Sequence, residues 1–189
     1  MTQLKFTSRH RFMMIRRLQM EKKVLFENNF RQFEKKNNLR EIVGEAYYEL
    51  WNYEVVECFF VADHPGQVVD YLELEFGPHG QHLGLVLHGV RNAIKHSFPM
   101  QYHAHINEKD KSWTGKAVVP KKYFPSGVNK FNAYAINGQD EDRIYKALYP
   151  VPGPQPDYHR LEYFLPYDGR FIDGLYSHFW SSALSDQGN

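Results

Sequence analysis

The pattern of apolar and polar positions changes character near residue 47. Ahead of it lies a stretch with no glycine before Gly44 and no proline before Pro65, although the chain holds thirteen glycines and ten prolines. A segment free of both breakers predicts helix. Met14, Leu18 and Leu25 fall on roughly one face, with Thr7 or Ser8 as a cap. Phe26, Phe30 and Phe33 are spaced for a second short helix, with Asn28-Asn29 and Asn37-Asn38 as interruptions. Residues 1–46 are therefore expected to form a helical N-terminal segment.

From Tyr47 onward the texture is of short runs with period two, divided by turn residues. Glu49–Val61 is apolar on both faces, as a central strand would be. Tyr71–Phe76 alternates, with Leu72, Leu74 and Phe76 on one face and Tyr71, Glu73 and Glu75 on the other. Leu83, Leu85 and Leu87 alternate with Gly84 and Val86, and Gln101–Ile106, Trp113–Val119 and Phe131–Ile136 do the same. Asp63-His64-Pro65-Gly66 and Gly77-Pro78-His79-Gly80 read as turns. Tyr149–Tyr158 is a proline-rich loop, and Leu161–Leu165 a closing strand. Many short strands separated by Gly/Pro turns predict a mainly β chain, an antiparallel β-sandwich over residues 47–170. Residues 171–189 are left as a tail with room for a short helix.

Composition fits this picture. A chain of 189 residues with 42% hydrophobic and 16% aromatic content can bury a core as one domain and is not disordered. The single cysteine, Cys58, cannot form an internal disulfide, no secretory apolar core stands near the N-terminus, and no run reaches the ~18 apolar residues of a bilayer span. A soluble cytoplasmic protein is expected, with no membrane partner. Charge adds one asymmetry: residues 1–46 hold 11 Lys/Arg against 5 Asp/Glu, and residues 47–189 hold 12 against 17. The first twenty residues, with Lys5, Arg9, Arg11, Arg16 and Arg17 and no acid, resemble a mitochondrial presequence, so mitochondria are the alternative compartment. No interleaved aromatic platform accompanies these arginines, and no nucleic-acid partner is expected.

The most informative chemical feature is Glu57, a carboxylate inside the apolar run Val55-Val56-Glu57-Cys58-Phe59-Phe60-Val61. Burying it is costly unless something hydrogen-bonds it, so it is either a structural anchor or part of a binding site. Glu73 and Glu75 share one strand face, and Glu57 could neighbour them on the next strand. Paired carboxylates could support glycoside hydrolysis across a cleft, although acid pairs on a solvated sheet face are commoner. His79-x-x-His82 and His103-x-His105 have spacings a metal could use, but no Cys pair or His-Glu-x-x-His helix accompanies them. No metal or cofactor is expected. Nucleophile elbows and phosphate loops are absent, and Cys58 reads as inert packing. Trp51, Trp113 and Trp180 each read more readily as core than as a sugar-stacking platform.

Several longer pieces carry a resemblance. Leu50-Trp51-Asn52-Tyr53-Glu54-Val55-Val56-Glu57, Gly77-Pro78-His79-Gly80-Gln81-His82, Tyr123-Phe124-Pro125, Lys130-Phe131-Asn132, Ala147-Leu148-Tyr149-Pro150-Val151-Pro152 and Pro156-Asp157-Tyr158-His159 resemble an uncharacterised animal family of chromosome-four open reading frame homologues, across about residues 47–165. More distantly, the order Trp51, Glu57, Tyr71, Trp113, Pro120, Phe131-Asn132 and Asp157-Tyr158-His159 is similar to family-nine carbohydrate-binding modules, β-sandwiches that hold sugar ends between two tryptophans. That resemblance implies an aromatic wall at Trp51, a hydroxyl-binding acid at Glu57 and a hydroxyl-binding amide at Asn132. The second wall falls at Ala135, so one stacking surface is missing. Residues 1–46 do not match the opening strands of either family, and a variant N-terminus is expected there.

Together these readings favour a non-catalytic ligand-binding β-sandwich for a carbohydrate or similar polar metabolite, with Trp51, Glu57, Glu73 and Asn132 as the ligand-binding residues. Two rivals stand beside it: a structural scaffold for a protein partner, and an enzyme acting on carbohydrate through Glu57, Glu73 or Glu75. A concave pocket shared by the acids is the geometric discriminator for the last.

Overall fold

Alternation along the chain resolves into twelve strands and one helix in the computed structural model, which describes residues 44–138, 143–153, 156–168 and 178–186 and three strands ahead of them. The strands are β1 Thr2–Arg9, β2 Phe12–Met14, β3 Glu27–Asn29, β4 Val55–Ala62, β5 Asp70–Phe76, β6 His82–His88, β7 Ala93–His96, β8 Gln101–Asn107, β9 Ser112–Val119, β10 Lys130–Asn137, β11 Ile144–Ala147 and β12 Leu165–Pro166, and the helix is α1 His178–Ser185. All strand pairings are antiparallel. The larger sheet has seven strands in the order β11-β10-β4-β5-β6-β7, with β12 sharing the outer edge of β10. The smaller has five and is centred on β9, with β8 along one edge and β1 and β3 along the other.

Period-two alternation gives the larger sheet two buried faces. Val56, Cys58 and Phe60 of β4, Leu72, Leu74 and Phe76 of β5, and Phe131 and Ala133 of β10 face inward against Tyr102, Trp113, Ala117 and Val119 of the smaller sheet. This is the sandwich core. Val55, Phe59 and Val61, with Tyr71, Leu83, Leu85, Leu87, Tyr134 and Ile136, point the other way and are covered by Leu50, Leu161 and Phe164. The chain segments before β4 and after β11 therefore form a second cover over the sheet's outer face. Close approach of the layers needs small residues. A Cβ on Gly84 would stand 2.4 Å from the Phe98 ring, and one on Gly115 would stand 2.6 Å from Tyr102 Oη.

Helix α1 closes the inner core at one end. Trp180 Nε1 donates to the Tyr123 carbonyl at 3.0 Å, and Phe179 packs edge-on to Phe98 at 5.3 Å.

Some expected elements differ. Thr2–Arg9, Phe12–Met14 and Glu27–Asn29, expected within a helical segment, are strands. Absence of Gly and Pro permits a strand as readily as a helix, Leu4 and Phe6 alternate with Gln3, Lys5 and Thr7, and the free edge of β9 supplies a partner. Leu18, Leu25, Phe26, Phe30 and Phe33 lie outside the described residues. The strand expected from Glu49 starts only at Val55, because Glu49 takes a left-handed conformation (φ 63°) ahead of a 3-10 turn at Leu50–Asn52. Leu161–Leu165 is mostly a 3-10 turn, Leu161–Tyr163, followed by the two-residue β12. Pro166 has no N–H to extend that ladder.

Candidate functional site

The register of β4 on β5 sets Glu57 directly opposite Glu75, with Glu73 two residues along the same face. One carboxylate oxygen from each of the three lies within 4.8 Å of the others. Glu57, Glu73 and Glu75 are only 2%, 5% and 0% exposed. Burial pushes all three carboxyls up: Glu57 to about 8, offset in part by Arg143, and Glu73 and Glu75 well above the ordinary value, with mutual repulsion adding to burial. Neither oxygen of Glu75 has a well-formed hydrogen bond, and only the Trp51 backbone draws its carboxyl down against burial.

Glu57 and Glu73 form part of the floor of a cavity of about 500 Å³ on the outer face of the larger sheet. Leu85, Leu87 and Ile136 supply the apolar part of the floor. Aromatic rings make the walls. Tyr158 stacks on Tyr134 at 3.8 Å and 12°, and Tyr145 stands edge-on to it at 6.3 Å. Trp51 comes from the 3-10 turn and is met edge-on by the exposed Tyr48 at 5.4 Å. Arg143 staples this wall, its guanidinium donating to the Trp51 carbonyl at 2.7 Å and to that of Tyr53 at 3.3 Å.

The rim is built by a loop far away in sequence. Arg91, at φ 63° in the β6–β7 turn, pairs through its side chain with Asp157. Its backbone N–H donates to Tyr71 Oη at 2.8 Å. The same hydroxyl is hydrogen-bonded to His159 Nδ1, 2.9 Å away. Burial, then the Arg91 charge, lowers His159 to about 4, so the ring is neutral at pH 7. Its other ring nitrogen, Nε2, faces Glu73 Oε2 at 3.9 Å.

Of the four residues expected to bind ligand, Trp51, Glu57 and Glu73 line this one cavity. Asn132 stands apart. Its amide donates to Tyr134 Oη and to the Tyr149 carbonyl, both at 2.9 Å, and its oxygen accepts from Tyr149 N at 3.1 Å and Ala133 N at 2.8 Å. It shares Glu57's face by parity, yet the chain at Tyr149 covers it, so it pins that segment to β10 and holds Tyr134 behind Tyr158. Ala135, where the resemblance placed a second wall, packs in the inner core. An odd spacing from Asn132 puts it on the other face. Tyr145 and Tyr158 occupy the opposing wall instead. Tyr158 and His159 were within reach through the Asp157-Tyr158-His159 motif, whereas nothing in the sequence pointed to Arg91, Arg143 or Tyr145.

The other candidates fall elsewhere. His103 and His105 project from the exposed face of β8, and among the described residues the converging metal-capable group is the carboxylate trio. Cys58 is fully buried in the inner core, and burial pushes its thiol up. Among the described residues, no helix is long and apolar enough to cross a membrane.

The fold has a counterpart among solved structures. A protein from Bacteroides uniformis ATCC 8492, described as a putative carbohydrate-binding protein, superimposes with a TM-score of 0.52 at 15% identity, over 67% of this chain and 66% of that one. At that identity the likeness is one of fold. Sequence relatives are nearer. The mouse UPF0462 protein C4orf33 homolog is 49% identical over 130 residues, covering 66% of this chain and 65% of its own length. The zebrafish homolog is 46% identical over 137 residues (69% and 67%), and human UPF0462 protein C4orf33 is 44% identical over 149 residues (76% and 71%). The chain belongs to the UPF0462 C4orf33 family, and it spans 65% to 71% of the length of these relatives. No family model matches it.

Proposed function

We propose that the chain is a non-catalytic binding module for a carbohydrate or similar polar metabolite, held in the cavity on the outer face of the larger sheet. The observation that carries this reading is the combination of lining groups in about 500 Å³: aromatic faces at Trp51, Tyr145 and Tyr158 against carboxyls at Glu57 and Glu73. A pyranose presents an apolar C–H face and a rim of hydroxyls, and such a lining matches both. A carboxyl held neutral by burial both donates and accepts, as a hydroxyl does. Arg143 and Asn132 act behind the wall as positioning residues. The likeness of fold to the Bacteroides protein supports the reading without naming a sugar.

Isothermal titration with a panel of mono- and oligosaccharides tests it. The expected result is saturable heat for some sugars, lost in Trp51→Ala and Glu57→Gln while both variants keep the native circular dichroism. No heat with any sugar at millimolar concentration rejects it.

A second reading rests on a specific observation. Glu57 and Glu73 do converge in a concave pocket, with His159 Nε2 3.9 Å from Glu73, the arrangement an acid–base enzyme acting on the same ligand class would need. NMR of sugars that bind, followed over hours, separates the two: turnover supports the enzyme, and unchanged spectra support the module.

A further inference from the structure

We propose that Glu57, Glu73 and Glu75 hold a calcium-sized divalent cation at the cavity floor. The donor set is three carboxyl groups, all hard oxygen, fixed by a cross-strand pair and its neighbour on two central strands, and they release their protons to solvent as the ion binds. Glu75 supplies the independent observation. It is fully buried, it is aimed into the trio, and neither of its oxygens has a well-formed hydrogen bond. Only the Trp51 backbone N–H acts on it favourably, and a buried carboxylate with so little donation and no counter-charge in contact is strongly disfavoured.

Protein cations fill this role only in part, with Arg143 acting on Glu57 and Arg91 on Glu73 from beyond ion-pair distance. Among the described residues no ion pair reaches Glu57 or Glu75, and the partner of Glu73 is the neutral His159 at 3.9 Å. Arg143 donates to the Trp51 and Tyr53 carbonyls, and Arg91 pairs with Asp157. A bound dication would supply the missing charge at contact distance.

Size selects among the hard cations. Calcium takes oxygens at about 2.3–2.6 Å, so ligands on opposite sides of it stand up to about 5 Å apart, whereas magnesium at about 2.0–2.1 Å spans only about 4 Å. The three oxygens, all within 4.8 Å of one another, fit inside the span of a calcium shell whatever their spacing below that bound. Calcium also needs six to eight oxygens. Glu57 and Glu73 line the cavity, so its remaining positions face the open side, where water or the hydroxyls of a ligand complete the shell.

The test uses the chain stripped with chelator and dialysed at pH 7.5, titrated with calcium chloride or magnesium chloride by calorimetry. Terbium luminescence sensitised through Trp51 serves as a second readout. The expected result is one saturable calcium site per chain, with magnesium at least tenfold weaker. Glu57→Gln and Glu75→Gln should each weaken calcium at least tenfold with circular dichroism unchanged. If Glu75→Gln does not fold, Glu57→Gln carries the comparison. Absence of saturable calcium binding by the wild-type chain, or equal affinity in Glu57→Gln, overturns the proposal. The outcome is separable from the sugar reading: sugar heat without a calcium site removes the cation alone, and a calcium site without sugar heat removes the sugar alone.

Discussion

Replacing Glu54 by Gln should make the protein more stable at neutral pH and leave it almost unchanged near pH 4.5. Glu54 is 1% exposed at the start of β4, and Trp113 Nε1 donates to its Oε1 at 3.0 Å across the inner core. Burial raises its carboxyl from an ordinary 4.5 to about 7, against the opposing pull of Trp113 and the Gly138 backbone. The folded state thus keeps its proton to a higher pH than the unfolded chain does. Stability is unaffected below the unfolded value, falls as pH rises from about 4.5 to about 7, and is level above that. That difference is worth about 3 kcal/mol. Gln keeps the acceptor for Trp113 and has no proton to lose, so the variant escapes the loss. Glu57, Glu73 and Glu75 titrate in both proteins and cancel in the comparison. Urea denaturation at pH 4.5, 6 and 7.5, with chelator present, measures it. At a slope of about 2 kcal/mol per molar, the midpoint gap should open to about 1.5 M at pH 7.5. Parallel curves across this range, or a variant less stable than wild type at pH 7.5, would refute the reasoning.

Two further substitutions probe the scaffold. Asn132→Ala leaves the Tyr149 N–H and carbonyl without their partner, and should cost about 2–3 kcal/mol in denaturant titration; a loss under 0.5 kcal/mol would show that the pin is dispensable. Gly84→Ala drives a methyl into the Phe98 ring at 2.4 Å and should cost about 1–3 kcal/mol, with Phe98→Leu recovering part of it; an unchanged melting temperature would refute the close approach.

Much of the site was legible because β structure has a strict two-residue period. Alternation in Tyr71–Phe76 already separated Leu72, Leu74 and Phe76 from Glu73 and Glu75, and the isolated acid in the apolar run marked Glu57. The same rule could not reveal that Asn132, on Glu57's face by parity, is roofed by Tyr149, nor that Ala135 turns inward. For the N-terminal segment the missing breakers were uninformative, because they permit either regular structure. Only a partner edge on β9 made Thr2–Arg9 a strand.

From the amino-acid order alone came the mainly β class, the turn positions, the inward and outward faces of the central strands, and the three acids that cluster on one of them. Those are local properties, set by backbone sterics, side-chain alternation and the preference of apolar groups for burial. The aromatic wall of Tyr145 and Tyr158, the Arg143 staple and the Arg91–Asp157 rim were decided by tertiary structure. They join segments up to 92 residues apart, and such pairings depend on which loop covers which face of a sheet, a choice made by the packing of the whole chain.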